Sequence, residues 1–323
     1  MAVKIDIFSG FLGAGKTTLM KKLLEEAFIG EKVALIENEF GTVGIDGKLM
    51  KNYDLQITEL NAGCICCSIA GDFTQGLREV LKLYNPDRIL IEPSGVSKLS
   101  DVIKGCTSFL REGLVYLELC ITVVDATKYK MYLKNFSEFY KDQLKNAKTI
   151  MLSRTAGADR GKLDSIVEDI RQYNGQAAII TTDWDSLDGK AILHIAKEES
   201  RGSMEESLQK GRHISVLRTQ KVTGIRIEKE VHSAEEVFSV WGIETAKIFS
   251  SEKLKDILHR LDSLDMQILR GKGILEGENH EWLQFDYVPG EVTINKWTPD
   301  YTGRICIIGS FIDKDKLKRL FEV

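Results

Sequence analysis

Two short stretches hold the residues most able to do chemistry. The first, GFLGAGKTT over residues 10–18, fits the spacing Gly-x-x-x-x-Gly-Lys-[Ser/Thr] in full. Gly10, Gly13 and Gly15 let a backbone curl until successive N–H groups point at phosphate oxygens. Lys16 adds a cation that can reach β and γ phosphates, and the Thr17 hydroxyl suits a magnesium ion. Ala14 and Thr18 complete the candidate phosphate-binding set. The second stretch, NAGCICCSI over 61–69, places Cys64, Cys66 and Cys67 within four positions. Such a cluster can bind a soft metal, form a Cys64–Cys67 redox pair, or be buried and inert. Asn61, Gly63 and Ser68 make the segment loop-like, against inert burial. Cys66 has no evident redox task, and no thioredoxin-like pattern surrounds the motif.

These groups need elements to position them. KIDIFSG reads as a buried strand over 5–8, and TTLMKKLLEEAF as a helix with Leu19, Leu23, Leu24 and Phe28 at helical spacing. A phosphate loop between strand and helix is the arrangement its chemistry requires, because the helix N-terminus also favours anions. KVALIENEFG, RILIEPSG, YLELCITVVDA, AKTIMLS and QAAIITT read as further strands, with helices between them as at 73–83 and 162–173. That alternation predicts an α/β fold, a mainly parallel sheet with helices on both faces. Glu92 ends an apolar strand, where a parallel sheet presents its site edge, and is the second candidate for magnesium support. Asp125 has the same placement, with magnesium support and a turn-forming role both open.

The pattern fades after Trp184. We place a nucleotide-binding domain at 1–196 and a polar linker region at 197–215. The rest, 216–323, reads as a small α+β domain. Its strand-like runs, among them MQILRGKGILE, EWLQFDYVPG and EVTINKW, follow one another closely. Helices fit at 251–264 and 313–321. Consecutive strands with few helices predict an antiparallel sheet.

Composition narrows the class. The 323 residues are 43% hydrophobic and 28% charged, which is globular rather than disordered. A net charge of −4 argues against a nucleic-acid partner. No long uncharged apolar run predicts a membrane span, and MAVKIDIFSG shows no cleavable apolar region, so the expected location is cytoplasmic. In a reducing compartment clustered cysteines are ligands or catalysts more often than disulfides. Cys106, Cys120 and Cys306 sit in apolar runs and read as packing residues. The five histidines are scattered, and none is assigned to a metal; His280 reads as a surface strand residue.

Taken in order, SGFLGAGKTTL, ENEFG, GID, GCICC, IEPSG and VVDA resemble the CobW family of P-loop GTPases, relatives of UreG and HypB. ILRGKGILEG and GRICIIGSFID resemble that family's second domain. The resemblance implies a P-loop NTPase domain followed by a CobW C-terminal-type domain. It implies slow hydrolysis of GTP or ATP with Mg²⁺, coupled to delivery of a transition metal, Zn²⁺ or Co²⁺. It maps a γ-phosphate switch onto Asn38, Glu39, Phe40, Gly41 and Asp46, and a Glu-x-x-Gly motif onto Glu92 and Gly95. Lys16, Thr17, Glu92 and Asp46 form the implied catalytic set. The Cys-x-Cys-Cys loop carries the transferable metal. Three thiolates leave a fourth position for an outside ligand or for Glu37, and an incomplete shell suits a carrier that must release its cargo.

The chain also departs from the pattern. GTPases of this class read guanine with Asn-Lys-x-Asp after a late strand. Here Ser153, Arg154, Thr155 and Ala156 take those places. Ser153 and Arg154 remain base-side candidates, since a planar guanidinium can stack on a base. Ala156 cannot accept a hydrogen bond from guanine, which leaves adenine open. Asp159 is a candidate substitute. Thr42 stands where the family often has a second glutamate. The expected partners are a nucleotide and a client metalloprotein or corrinoid protein. The alternatives are an NTPase accessory for assembly or reactivation of a cobalt-corrinoid enzyme, and a redox-sensing nucleotide switch.

Overall fold

The computed structural model describes residues 2–37, 56–59, 70–197, 237–278, 281–300 and 302–323. The first domain runs β1 (Val3–Gly10), α1 (Lys16–Glu26), β2 (Val33–Glu37), β3 (Gln56–Glu59), α2 (Ala70–Tyr84), β4 (Arg88–Glu92) and α3 (Leu99–Arg111). It continues through β5 (Val115–Asp125), α4 (Tyr129–Asn135), α5 (Ser137–Asn146), β6 (Thr149–Ser153), α6 (Arg160–Tyr173) and β7 (Ala178–Ile180). A helix over 189–197, α7, follows. The seven strands pair in the order β3-β2-β4-β1-β5-β6-β7, every pair parallel.

Side-chain alternation explains the layers. Ile5 and Ile7 of β1 point to one face, with Phe73 and Leu77 of α2, Val102 and Phe109 of α3, and Phe139 of α5. Phe8 of β1 and Leu119, Ile121 and Val123 of β5 point to the other, against Leu19, Met20 and Leu23 of α1 and Ile192 of α7. Strands covered on both faces by helices must be apolar on both, which is why they read as continuous apolar runs. β3 and α3 to α5 were not singled out in the sequence; β3 is only four residues long.

The second domain contains β8 (Ser239–Thr245), α8 (Ser251–Arg260), β9 (Gln267–Glu276), β10 (Trp282–Val288), β11 (Glu291–Trp297), β12 (Gly303–Ser310) and α9 (Lys314–Phe321). Its sheet is antiparallel in the order β11-β10-β9-β12-β8, as the consecutive strands predict. Ser250 and Asp313 cap α8 and α9, their side chains accepting from Lys253 N and from Asp315 and Lys316 N. α8 ends at Arg260, with a 3₁₀ turn at Leu261–Ser263, earlier than the expected 264. Leu254, Leu258, Leu317 and Phe321 of the two helices pack on one sheet face with Leu275, Phe285 and Ile305. The expected end of the first domain at 196 falls inside α7, one residue before its end at 197. Residues 198–215 and the expected start of the second domain at 216 lie outside the described residues, as does His280.

At the amino edge of the parallel sheet, Arg88 opens β4 with no exposed surface. Its guanidinium donates to Asp6 of β1, to Glu31 at 2.8 Å and to Glu118 of β5 at 2.7 Å, and lies over the Phe28 ring. Three neighbouring elements are thus tied through one cation. Removing the cation leaves the fully buried Asp6 carboxylate without its guanidinium, while Glu31 and Glu118 keep Lys4 and Lys197. The loss at Asp6 costs far more than a surface pair. Arg88→Ala should lower the stability of the first domain by about 3–5 kcal/mol, measured on the first transition in denaturant unfolding. A loss below about 1 kcal/mol, the range of an exposed pair, would mean that the cluster does not anchor the sheet.

Candidate nucleotide and metal site

The carboxyl edge of the same sheet carries the chemistry. Gly13 and Gly15 turn the loop after β1 with φ of +70° and +103°, a region that L side chains avoid. The turn brings the chain into α1, whose first two residues are Lys16 and Thr17. Lys16 is buried; its Nζ donates to Gly10 O at 3.1 Å and lies 3.9 Å from Glu92 Oε1. Thr17 Oγ1 lies 3.1 Å from both carboxylate oxygens of Glu92. A hydroxyl and a carboxylate, both hard oxygen donors, therefore meet beside the phosphate loop, and this donor set fits Mg²⁺. Glu37, at the end of β2, is the register partner of Glu92 at the end of β4, and both are buried. Gly95 packs directly on the P-loop backbone at Leu12. The structure thus brings together Lys16, Thr17, Glu92, Glu37 and Gly95.

Other expected residues have different occupations. Asp125 Oδ1 accepts from Thr127 N at 2.8 Å and Thr127 Oγ1 at 2.6 Å, so it holds the turn after β5. Its Oδ2 pairs with Arg154 Nη1 at 3.0 Å. The same Arg154 nitrogen donates to Gly13 O at 3.0 Å, and Nη2 donates to Glu291 Oε2 of β11 at 2.9 Å. The guanidinium clasps the P-loop, β5 and the second domain together, rather than lying open as a stacking platform. Ser153 Oγ is buried and donates to Val124 O at 3.4 Å. Asp159 is the N-cap of α6, accepting from Lys162 N at 3.1 Å.

Two further residues that the sequence motifs do not point to, Trp184 and Phe11, border the site. Trp184, in a 3₁₀ turn after β7, donates from Nε1 to Leu152 O at 3.0 Å. A ring carbon of its indole stands 3.1 Å from where a Cβ on Gly15 would be, so an aromatic edge borders the loop. Phe11, inside the P-loop, has no exposed surface; its ring packs on Tyr132, Phe136, Tyr140 and Phe238. The signal for Trp184 is a lone large aromatic among turn formers in TTDWDS.

A cleft of about 370 Å³ lies over the loop. Lys16, Thr17, Thr18 and Glu92 line one wall, and Arg270, Thr293 and Asn295 of the second domain line the other. Among the described residues no group of three or more His, Cys, Asp or Glu is placed to hold a metal ion. Cys64, Cys66, Cys67, Asp46 and the switch residues 38–41 lie outside the described residues. Cys106, Cys120 and Cys306 are buried, as packing residues should be, and burial pushes the Cys106 and Cys120 thiols up to about 12. No described helix is long and apolar enough to cross a membrane.

Comparison with known proteins agrees with this architecture. The family model described as "CobW/HypB/UreG, nucleotide-binding domain" matches residues 4–181, and "Cobalamin synthesis protein cobW C-terminal domain" matches 238–323. The chain is 32% identical over 194 residues to the "Zinc chaperone YjiA" of Escherichia coli (strain K12), covering 58% of this chain and 59% of that protein. It is 29% identical over 189 residues to the "Zinc chaperone YeiR" of the same organism, covering 58% of each. The chain thus spans less than two thirds of the length of these two relatives. The "Zinc-regulated GTPase metalloprotein activator 1" of Schizosaccharomyces pombe is 26% identical over 313 residues, 88% of this chain and 75% of the relative.

Gly95 gives a direct check on the packing of the loop. A Cβ there would lie 2.6 Å from Leu12 N and 2.9 Å from Leu12 Cα, both backbone atoms with no room to give. Gly95→Ala should cost about 1–3 kcal/mol of stability and weaken binding of phosphate-bearing ligands, by denaturant unfolding and nucleotide titration. A variant that melts and binds like the parent would show that Gly95 does not shape the loop.

Proposed function

This chain belongs to the CobW/HypB/UreG family of nucleotide-binding proteins, and from that premise we propose that it is a metal chaperone driven by nucleoside-triphosphate hydrolysis. One observation carries the reading: Lys16 and Thr17 converge on Glu92 beside a glycine-turned loop at a helix N-terminus. The loop N–H groups cradle the phosphates. Lys16 neutralises β and γ oxygens. Thr17 and Glu92 hold Mg²⁺, which when bound withdraws charge from the transferring phosphoryl group. Glu92 supports the hydroxyl of Thr17, and Gly95 keeps the loop in shape. GTP is the first candidate substrate, with ATP the second, because Ala156 offers no acceptor for guanine.

The cargo is a transition metal. Cys64, Cys66 and Cys67 are its ligands in this reading, with Glu37 available for the fourth position. Zinc comes first, supported by the names of the relatives, and cobalt second. The partner is a client metalloprotein, in a reducing cytoplasm that keeps the thiols free. Asp46 and residues 38–41 respond to the γ phosphate. Metal affinity and triphosphate occupancy are then linked, each changing the other by the same factor.

Anaerobic zinc titration of the full chain tests this, with and without Mg²⁺ and a non-hydrolysable GTP or ATP analogue. Wild type should bind about one zinc per chain at the thiolate loop, and Cys66→Ser/Cys67→Ser should lose it. The analogue should shift zinc affinity about 5- to 150-fold. Lys16→Ala should abolish that shift while leaving zinc binding in place. Zinc affinity indifferent to both the cysteines and the nucleotide would sink the chaperone reading.

A further inference from the structure

An antiparallel sheet with helices on one face normally shows water a polar second face. In the second domain the helix-covered face carries Leu275, Phe285 and Ile305. The opposite face alternates Arg270 and Lys272 on β9, Gln284 and Asp286 on β10, and Thr293 and Asn295 on β11. On β9 and at Gln284 of β10 that face is not turned to water. Lys272 is 3% and Gln284 5% exposed, and the Arg270 side chain is 15% exposed. The hairpin between β10 and β11 presses on the P-loop so closely that a Cβ on Gly13 would overlap Val288 Cγ1. Arg154 bonds the same Gly13 and Glu291 of β11. Lys21, one turn along α1 from the loop, feels Lys272 across the gap; burial and that second cation push its ammonium below the ordinary lysine range.

Like charges brought together away from water are unfavourable unless an anion joins them. Lys16, Lys21, Arg154 and Arg270 line a cleft whose acidic residues are Glu92 on the loop side and Asp286 and Glu291 on the sheet side, with Lys272 acting on Lys21 from beyond the lining. Arg270 Nη2 reaches Asp286 at 3.2 Å, and the Asp286 side chain is 34% exposed, so this is a pair that a stronger anion can compete for. A polyphosphate held by the P-loop is an anion in the right place.

We propose that the second domain supplies the far wall of the triphosphate site, with Arg270, Thr293 and Asn295 contacting the terminal phosphate. This rests on the nucleotide reading above and adds the sensor to it. Triphosphate adds a tie between the sheet and the P-loop beyond those that Val288 and Arg154 already make, and the diphosphate lacks it. The two domains thereby report nucleotide state to each other.

The test measures affinity of the full chain, with Mg²⁺, for an imido-triphosphate analogue and for the matching diphosphate. Arg270→Gln should lose about tenfold or more for the triphosphate and less than about twofold for the diphosphate; Arg270→Lys should recover part of the loss. Asn295→Asp sits on an exposed strand position and adds a negative charge to the same wall. It should show the same selective loss, and it carries the test if Arg270→Gln fails to fold. Equal weakening of both nucleotides, or no weakening, in the folded variant would overturn the second-domain contact. Wild type that binds neither nucleotide would overturn the nucleotide reading itself, and this inference with it.

Discussion

The Thr17 hydroxyl can meet the Glu92 carboxylate only because β1 and β4 are adjacent parallel strands. Lys4 pairs with Arg88 and Ile7 with Ile91, so both strands run to the same edge, β1 continuing two residues past Glu92 into the loop. The loop after β1 and the last residue of β4 are then neighbours by construction. β2 pairs with β4 in the same sense and brings Glu37 to the same row. A slip of one residue would turn every side chain to the opposite face. The buried cluster around Arg88 resists that slip from the far edge, because Asp6, Glu31 and Glu118 can share the guanidinium only in the observed register. The structural end of the sheet and its chemical end are therefore one constraint. Each buries charged groups, and each is tolerable because cation and carboxylates are matched.

The loop has two sides. Its backbone faces the cleft, while Phe11 turns inward to an aromatic cluster that includes Phe238, at the start of the second domain. Ile274, Trp282, Cys306 and Ile308 of the second domain join the same core. Magnitudes rank the ties between domains. A buried aromatic pair contributes about 0.5–1.5 kcal/mol beyond its buried area. An ion pair as exposed as Arg154 with Glu291 contributes about 0–1 kcal/mol. Apolar packing through Phe11 and its neighbours holds the domains together, and the exposed Arg154–Glu291 pair adds little to that tie.

The P-loop could be read from sequence because its chemistry is local: glycines, lysine and threonine act at fixed spacing within nine residues. The strands could be read because burial on both faces leaves an apolar run. Glu92 could be placed because a carboxylate ending such a run must stand at the sheet edge. Arg154 could not be placed, since its three partners lie on the P-loop, β5 and β11, remote in sequence and joined only by the fold. Asp159 shows the opposite case: its role as a helix cap is local, but spacing to a guanine-reading position drew the reading elsewhere. Trp184 was hidden because a tryptophan in a turn carries no periodic signal, and its meaning comes from contact with Gly15.

The second domain shows why alternation stops short of function. Arg270, Lys272, Gln284, Thr293 and Asn295 would have the same pattern whether their face met water or a phosphate. Burial separates the cases. It falls across the sheet, from Lys272 and Gln284, both buried, to Glu291, Thr293 and Asn295, all exposed. β11 is the edge strand of that sheet. The cleft is therefore closed toward β9 and open along β11, with Arg270 on the closed side and Arg154 held by Glu291 at the open side. An anionic ligand entering past β11 meets the Thr293 hydroxyl, the Asn295 amide and the Arg154–Glu291 ion pair first, and the Arg270 and Lys16 cations last. Since Coulomb attraction strengthens as water is excluded, the pull grows in the direction of the P-loop. A sheet facing bulk water would screen the same cations and could not produce that gradient.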